Sequence, residues 1–219
     1  MIVTIDGPAG AGKSSVSLKL ADALGFFFLD TGAMYRCVTL ACQRAKIDLD
    51  DPDAALEIAK SCQIHLAKGS VKLNSDDVTL AIRNPSVAKA IKPIAENPKI
   101  RDLMVAQQRR ICQGRDCVTE GRDQGTVAFP EAQCKIFLTA SPEERARRRY
   151  QQLIDNNIDA DYEEILRLQN ERDENDSNRQ AGPLRAAPDA IVVHTDGMDE
   201  EQVLAKLMSI VRSQSSGAG

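Results

Sequence analysis

Tryptophan is absent and aromatic residues make up only 4% of the 219 positions, so the core must be built from aliphatic side chains within a 42% hydrophobic content. Only two histidines occur, His65 and His194, both in strand-like segments where a core or surface role is expected. The six cysteines (37, 42, 62, 112, 117, 134) form no CxxC pair and no Cys/His metal spacing, which fits reduced thiols in a cytosolic protein. No apolar run approaches the roughly 18 residues that span a bilayer. The first strand-like run begins at Ile2, so no signal peptide is expected and a cytoplasmic location is. A net charge of −4 and a pI near 5.3 argue against a general nucleic-acid or membrane-surface partner. The length fits one domain with insertions, 1–219, acting as a monomer, and the small polar residues of 213–219 read as a disordered tail.

What the sequence does contain is concentrated near its start. The apolar run Ile2 to Ile5 leads into Gly7-Pro8-Ala9-Gly10-Ala11-Gly12-Lys13-Ser14-Ser15, and a periodic segment follows through Val16, Leu20 and Leu24 to Gly25. Strand, glycine-rich turn and helix start come in the order that a phosphate cradle needs. Loop N–H groups and the positive end of the helix dipole face an anion there. Lys13 can reach the β- and γ-phosphates of a nucleoside triphosphate, and the Ser14 hydroxyl can ligate Mg²⁺.

Short apolar runs at 26–29, 117–119, 134–139 and 190–193 alternate with helical periodicity at 33–45, 85–112, 142–149, 162–173 and 200–211. Ser141-Pro142-Glu143-Glu144 is a capping box. Between the helical stretches, segments 64–67, 71–74 and 78–82 alternate like a small antiparallel meander. The expected fold is α/β, a parallel sheet with helices on both faces. Ligands of such sheets sit at the carboxyl ends of the strands, and polar clusters follow Ile5, Leu29, Thr119 and Thr139.

Phosphoryl transfer needs charge neutralisation and alignment. Arg36, Arg83, Arg101, Arg122, Arg172 and Arg179 are candidates to hold an acceptor that is itself a phosphate. Arg145, Arg148 and Arg149 share a helix face, with Arg147 to the side. They read either as a lid closing on the triphosphate or as a solvated face paired with Glu143 and Glu144. Arg172, Asp176 and Arg179 line up at helical spacing, either gripping a nucleoside monophosphate or forming a surface ion-pair network. Glu120 is a candidate acid for water on Mg²⁺.

Four blocks resemble those of the bacterial cytidylate kinases: Ile5 to Ser14, Leu29 to Arg36, Glu120 to Val127, and Glu171 to Arg179. The resemblance implies a P-loop kinase that transfers phosphate from ATP to CMP or dCMP in pyrimidine nucleotide metabolism. It implies ATP on Gly7 to Ser15, with Lys13, Arg122, Arg148 and Arg149 catalytic and Mg²⁺ on Ser14, mostly through phosphates and water. It places the CMP phosphate on Arg36, Arg122 and Arg179, its sugar on Arg172 and Asp176, and the cytosine edge on Asp123 and Arg101, with Thr31 and Tyr35 beside the acceptor. It makes about 63–100 a CMP-binding insert with strands of its own and about 145–180 a helical lid. Glu120 stands where Asp is expected, Gln124 where Met is frequent, Lys92 where Ser is frequent and Ser177 where Arg occurs. A shikimate kinase would need a second acid soon after Asp30, and Thr31-Gly32 follows instead. A GTPase switch would need Asn-Lys-x-Asp, which is absent, and Asp-x-x-Gly occurs only at Asp22 to Gly25, inside the first helix.

Overall fold

The computed structural model describes residues 1–216. In chain order the elements are β1 (Ile2–Asp6), α1 (Lys13–Leu24), β2 (Phe27–Asp30), α2 (Thr31–Arg44), α3 (Pro52–Ser61), β3 (Ile64–Ala67), β4 (Ser70–Leu73), β5 (Asp76–Asp77), α4 (Pro85–Ala90), α5 (Lys92–Glu96) and α6 (Pro98–Cys112). There follow β6 (Cys117–Gly121), β7 (Cys134–Thr139), α7 (Pro142–Asp155), α8 (Tyr162–Asn178), β8 (Ile191–His194) and α9 (Glu200–Ser216). They form two compact units, where one domain is expected from length. The first combines Met1–Phe28 with the chain from Gly114 onward, and the second is Leu29–Gln113.

The first unit is built on a five-stranded sheet in the order β2-β6-β1-β7-β8. The pairings of β1 with β6 and β7, and of β7 with β8, are parallel, with Asp6 in register with Gly121 and Phe137. Strand carboxyl ends therefore gather on one side, where loops can converge on a ligand. Buried Val3, Ile5, Val118, Ile136, Leu138 and Val193 of the strands pack with Val16 and Leu20 of α1 and Val203, Leu207 and Val211 of α9. This core has no aromatic residue among its buried members, and Phe26 and Phe28 pack against it partly buried.

The second unit includes α2 and α3. In it α2 packs against α3, α4, α5 and α6 through buried Met34, Cys37, Val38 and Cys42. Proline fixes where its helices start. Asp51, Asn84 and Asn97 each cap a helix whose first residue is proline, and each side chain accepts a backbone N–H of the first turn. Ser141 does the same for α7 in the first unit.

Two expectations need correction. Val78 to Ile82 does not form the third strand of the β3-β4-β5 sheet. That place is taken by the two-residue β5, and Ala81–Arg83 is a 3₁₀ turn. Side chains capture the backbone here: the Thr79 hydroxyl accepts the Val71 N–H at 2.9 Å and Asp77 accepts the Thr79 N–H at 2.9 Å, so a regular ladder cannot continue. At the other end of the chain, Ser213 to Ser216 extend α9 instead of opening a disordered tail, with the Ser213 and Ser215 hydroxyls bonded back to Ile210 and Val211 carbonyls. Residues 217–219 lie outside the described part.

The turn after β1 leaves no room for a side chain. Gly7 has φ +150°, and a Cβ there would lie 1.9 Å from the Leu138 carbonyl oxygen on β7. A Cβ on Gly12, at φ +83°, would meet nothing within 4 Å. Gly7→Ala is thus expected to cost more than about 3 kcal/mol or to prevent folding, whereas Gly12→Ala pays only left-handed backbone strain of about 1–2 kcal/mol. Chemical denaturation of the two variants side by side checks the difference.

Candidate functional site

The site grows from the end of β1. Asp6 is buried, and its carboxylate accepts the backbone N–H groups of Gln124 (2.8 Å) and Gly125 (2.7 Å). Burial pushes its pKa up to about 6 against the lowering effect of those two hydrogen bonds. The residues it holds open a single π-helical turn, Gln124–Ala128, after β6. The Gln124 side-chain oxygen accepts the Thr119 hydroxyl at 2.8 Å, which locks the turn from within. Gly125 allows close approach, since a Cβ there would sit 3.0 Å from the Thr4 hydroxyl oxygen. Asp6 therefore ties the start of the glycine loop to the Gly121-Arg122-Asp123 turn.

Gly12, in the left-handed region, is the N-cap of α1 and supplies no side chain to its first N–H groups. Helix-start donors with no side-chain cap are what an anion would use. Lys13 is buried and donates to the Pro8 carbonyl at 2.8 Å. Burial, then repulsion from Arg122, brings its pKa down to about 7, opposed by Glu120 and Asp6. Ser14 donates its hydroxyl to Glu120 at 2.6 Å. Glu120 was expected only as an acid acting through water, and here it meets Ser14 directly. A hydroxyl and a carboxylate side by side are hard oxygen donors of the kind Mg²⁺ takes. Among the described residues no group of three or more His, Cys, Asp or Glu could hold a metal, so most of its ligands would have to come from phosphate and water. The Ser15 hydroxyl turns back to the Gly12 carbonyl.

A charged cluster lies in the same unit. Arg122 Nε pairs with Asp176 Oδ2 at 2.7 Å. Arg179 lies 3.9 Å from Asp176 and 3.8 Å from Asp123, and its Nε donates to the Gly182 carbonyl. Burial raises the Asp176 carboxyl, but Arg122, Arg179 and Arg172 outweigh it and hold the pKa below the ordinary carboxylate range. Arg122, Arg179 and Arg172 all bear on Asp176, and planar guanidinium forks of this kind suit a phosphate. The structure thus joins Lys13, Glu120, Arg122, Asp123, Asp176 and Arg179, with Arg172 near enough to act on both Lys13 and Asp176.

The arginines of α7 fall into two groups. Arg148 donates to Glu144 at 2.8 Å and to the hydroxyl and carbonyl of Thr195, while exposed Arg147 pairs with Glu144 and Arg149 bonds to Gln152. Arg145 is buried in a different set of bonds, with Ala9, Ala140 and Asp173. Arg148 and Arg149 remain partly or wholly accessible, Arg145 does not.

In the second unit Thr31 is buried at the start of α2, where Asp30 caps the helix through the Ala33 N–H and also pairs with Arg36 at 3.2 Å. A Cβ on Gly32 would come 3.1 Å from the Arg36 guanidinium, so the glycine lets that arginine fold over the helix start. Buried Arg101 lies over the Tyr35 ring at 5.8 Å and donates to the Ala95 carbonyl. Arg83 is exposed at the end of the 3₁₀ turn, and Lys92 is exposed at the first position of α5. Sequence reasoning missed Asp6, although an acid ending an apolar strand just before a glycine loop is a legible sign. It also missed the Thr119–Gln124 lock and the Arg145–Asp173 pair, for which the one-dimensional pattern carries no sign.

The cytidylate kinase family pattern matches residues 3–213. A cytidylate kinase from Rhodopirellula baltica is 53% identical over 212 residues, covering 97% of this chain and 93% of its own. One from Mycobacterium avium is 47% identical over 223 residues, covering 100% and 98%. Among solved structures, an uncharacterized protein from Eubacterium ventriosum has the same fold at 12% identity, with a TM-score of 0.52 over 97% of this chain and 99% of its own. With a family match over nearly all its length and relatives this similar, the chain belongs to the cytidylate kinase family.

Proposed function

We propose that this protein transfers the γ-phosphoryl group of ATP to CMP or dCMP, giving ADP and CDP or dCDP. Within the family, the observation that carries the reading to these residues is the Arg122–Asp176–Arg179–Asp123 cluster, whose arginine Arg122 also acts on Lys13 of the glycine loop. One charged group thus serves both a donor loop and an acceptor cluster, as a two-nucleotide transfer requires. The loop Gly7 to Ser15 takes the ATP phosphates on backbone N–H groups. Lys13 leaves the Pro8 carbonyl for the triphosphate, where its charge is favoured. Arg122 and Arg179 hold the acceptor phosphate, Arg172 and Asp176 the sugar, and Asp123 the cytosine amino edge. On the second unit Arg36 is assigned to the acceptor phosphate, Arg101 to the base, and Thr31 and Tyr35 to contacts beside them; these rest on the family's residue pattern. Arg148 and Arg149 neutralise the donor phosphates from α7. Mg²⁺, held by Ser14 and Glu120 directly or through water, would neutralise phosphate charge.

The acceptor insert at about 63–100 and the lid at about 145–180 belong to the same reading, as do a monomeric state and a place in cytoplasmic pyrimidine nucleotide metabolism. Among the described residues no helix is long and apolar enough to cross a membrane. A coupled ADP-release assay over CMP, dCMP, UMP, AMP, GMP and shikimate tests the activity. Preference for CMP and dCMP is the expected result, and equal use of all acceptors would sink the proposal.

Lys13 supplies a prediction with a defined sign. A buried lysine whose pKa falls to about 7 carries an ionisation cost that grows as pH drops from its unfolded value and is complete below 7. Lys13→Met should therefore raise Tm by a few degrees, more at pH 6 than at pH 8, while lowering kcat about 10²–10³-fold. ATP binding at pH 8 should draw close to one proton onto the wild-type protein and none onto the variant, which calorimetry in buffers of different ionisation heat measures. Asp123→Ala should cut the CMP-over-UMP ratio of kcat/KM by about 10–100-fold with KM for ATP changed less than about threefold, a comparison steady-state kinetics decides.

A further inference from the structure

Arg145 shares the α7 face of Arg148 by spacing, yet all three donor nitrogens of its guanidinium are committed inside the protein. Nε donates to the Ala140 carbonyl at 3.0 Å, Nη1 donates to the Ala9 carbonyl at 2.8 Å, and Nη2 pairs with Asp173 Oδ2 at 2.6 Å. Its side chain is 3% exposed. A cation this buried is tolerated only when fully paired, and removing one partner leaves an uncompensated charge. The three partners lie in different places: Ala9 in the glycine loop, Ala140 just past β7, and Asp173 on α8 between Arg172 and Asp176. The second oxygen of Asp173 is buried without a hydrogen-bond partner, and its first oxygen forms the ion pair with Arg145.

A second contact runs alongside. A Cβ on Gly10 would come 3.0 Å from the Gln169 side-chain oxygen and 3.3 Å from Arg145 Cβ. Gln169 in turn donates to the Pro142 carbonyl at 3.0 Å. Gln169 and Asp173 are one turn apart on α8, so the same helix face that Arg145 grips also abuts the loop apex. Asp176 lies three residues further on the same helix and pairs with Arg122.

We propose that Arg145 and Asp173 form a strut between the donor loop and α8, so that the two nucleotides bind synergistically and Arg145 is a positioning residue, not a triphosphate ligand. The inference rests on the reading of α8 as an acceptor-binding helix. Phosphate filling the loop fixes Ala9, Arg145 transmits that constraint to Asp173, and α8 presents Arg172, Asp176 and Arg179 already ordered. The second nucleotide then meets a smaller ordering cost, and the coupling is reciprocal.

CMP affinity is measured by calorimetry with and without a non-hydrolysable ATP analogue and Mg²⁺, in wild type, Asp173→Asn, Arg145→Lys and the double variant. Wild type is expected to bind CMP about tenfold tighter with the analogue present. Each single variant should keep its separate affinity for either nucleotide within about threefold while the coupling factor falls toward one, and the double variant should lose no more than either single one. Undiminished coupling in both single variants overturns the strut, as does absence of coupling in wild type. Loss of analogue affinity in Arg145→Lys alone would make Arg145 a triphosphate ligand and also overturn it. If the variants fail to fold, hydrogen exchange on wild type reads the same link. CMP alone should slow exchange in the loop around Ala9 and the analogue alone should slow it around Asp173, and protection confined to each nucleotide's own residues refutes the strut. A wild-type protein that binds no CMP with or without the analogue removes the proposed activity together with the strut, whereas tight CMP binding with unaltered coupling removes the strut alone.

Discussion

A single buried carboxylate, Asp6, fixes the glycine loop against the turn that carries Arg122 and Asp123. The glycine loop begins one residue after it, and the backbone N–H groups it accepts belong to the two residues that follow Asp123. Burial raises its carboxyl to about 6 although the two N–H donors and Lys13 pull it down, so the ionised clamp is held by those donors against a desolvation cost. A carboxylate is suited to this task because its two oxygens each serve one N–H, and a buried backbone N–H left alone would cost about 1–3 kcal/mol. The parallel register of β1 with β6 brings Asp6 opposite Gly121, which is why a side chain this short reaches the turn.

From that clamp outward the electrostatics have one direction. Lys13 is destabilised as a cation by burial and by Arg122, while Asp176 is stabilised as an anion by Arg122, Arg179 and Arg172. Four cations, Lys13, Arg122, Arg172 and Arg179, meet four acids, Asp6, Glu120, Asp123 and Asp176, and the lysine donates to the Pro8 carbonyl. A lysine that burial and Arg122 disfavour as a cation gains when a phosphate arrives, so part of the binding energy is stored as ionisation cost in the folded protein. Glu120 beside Ser14 moderates this field where a divalent cation would share the phosphates.

The frame of the fold was legible because it rests on short-range signals. Gly25 stops α1 in the left-handed region, Ser141 and Pro142 open α7, and Cys134 to Thr139 is a strand with the bounds that its apolar run implies. The segment Val78 to Ile82 misled because its alternation suits a strand while Thr79 and Asp77 compete for the same backbone groups. The glycine loop and the Gly-Arg-Asp turn stand out in the sequence as motifs, since glycines and charges cluster there for steric and electrostatic reasons. The Thr119–Gln124 lock was not, because a threonine in a strand and a glutamine after a turn are ordinary choices until their side chains meet.

The arginines of α7 show where spacing stops being informative. Arg145 and Arg148 lie three residues apart on one face and have the same chemistry, yet Arg145 sits in the first turn, where Ala140, the glycine loop and α8 surround it. Arg148, one turn on, meets Glu144 and the Thr195 backbone and keeps a quarter of its side chain in solvent. Helical periodicity assigns both to one face and says nothing of depth along the axis. Depth decides whether a guanidinium is spent on carbonyls within the fold or remains available to an anion, because a cation that is buried must be fully paired in the free protein while one at the edge can exchange its partners for phosphate.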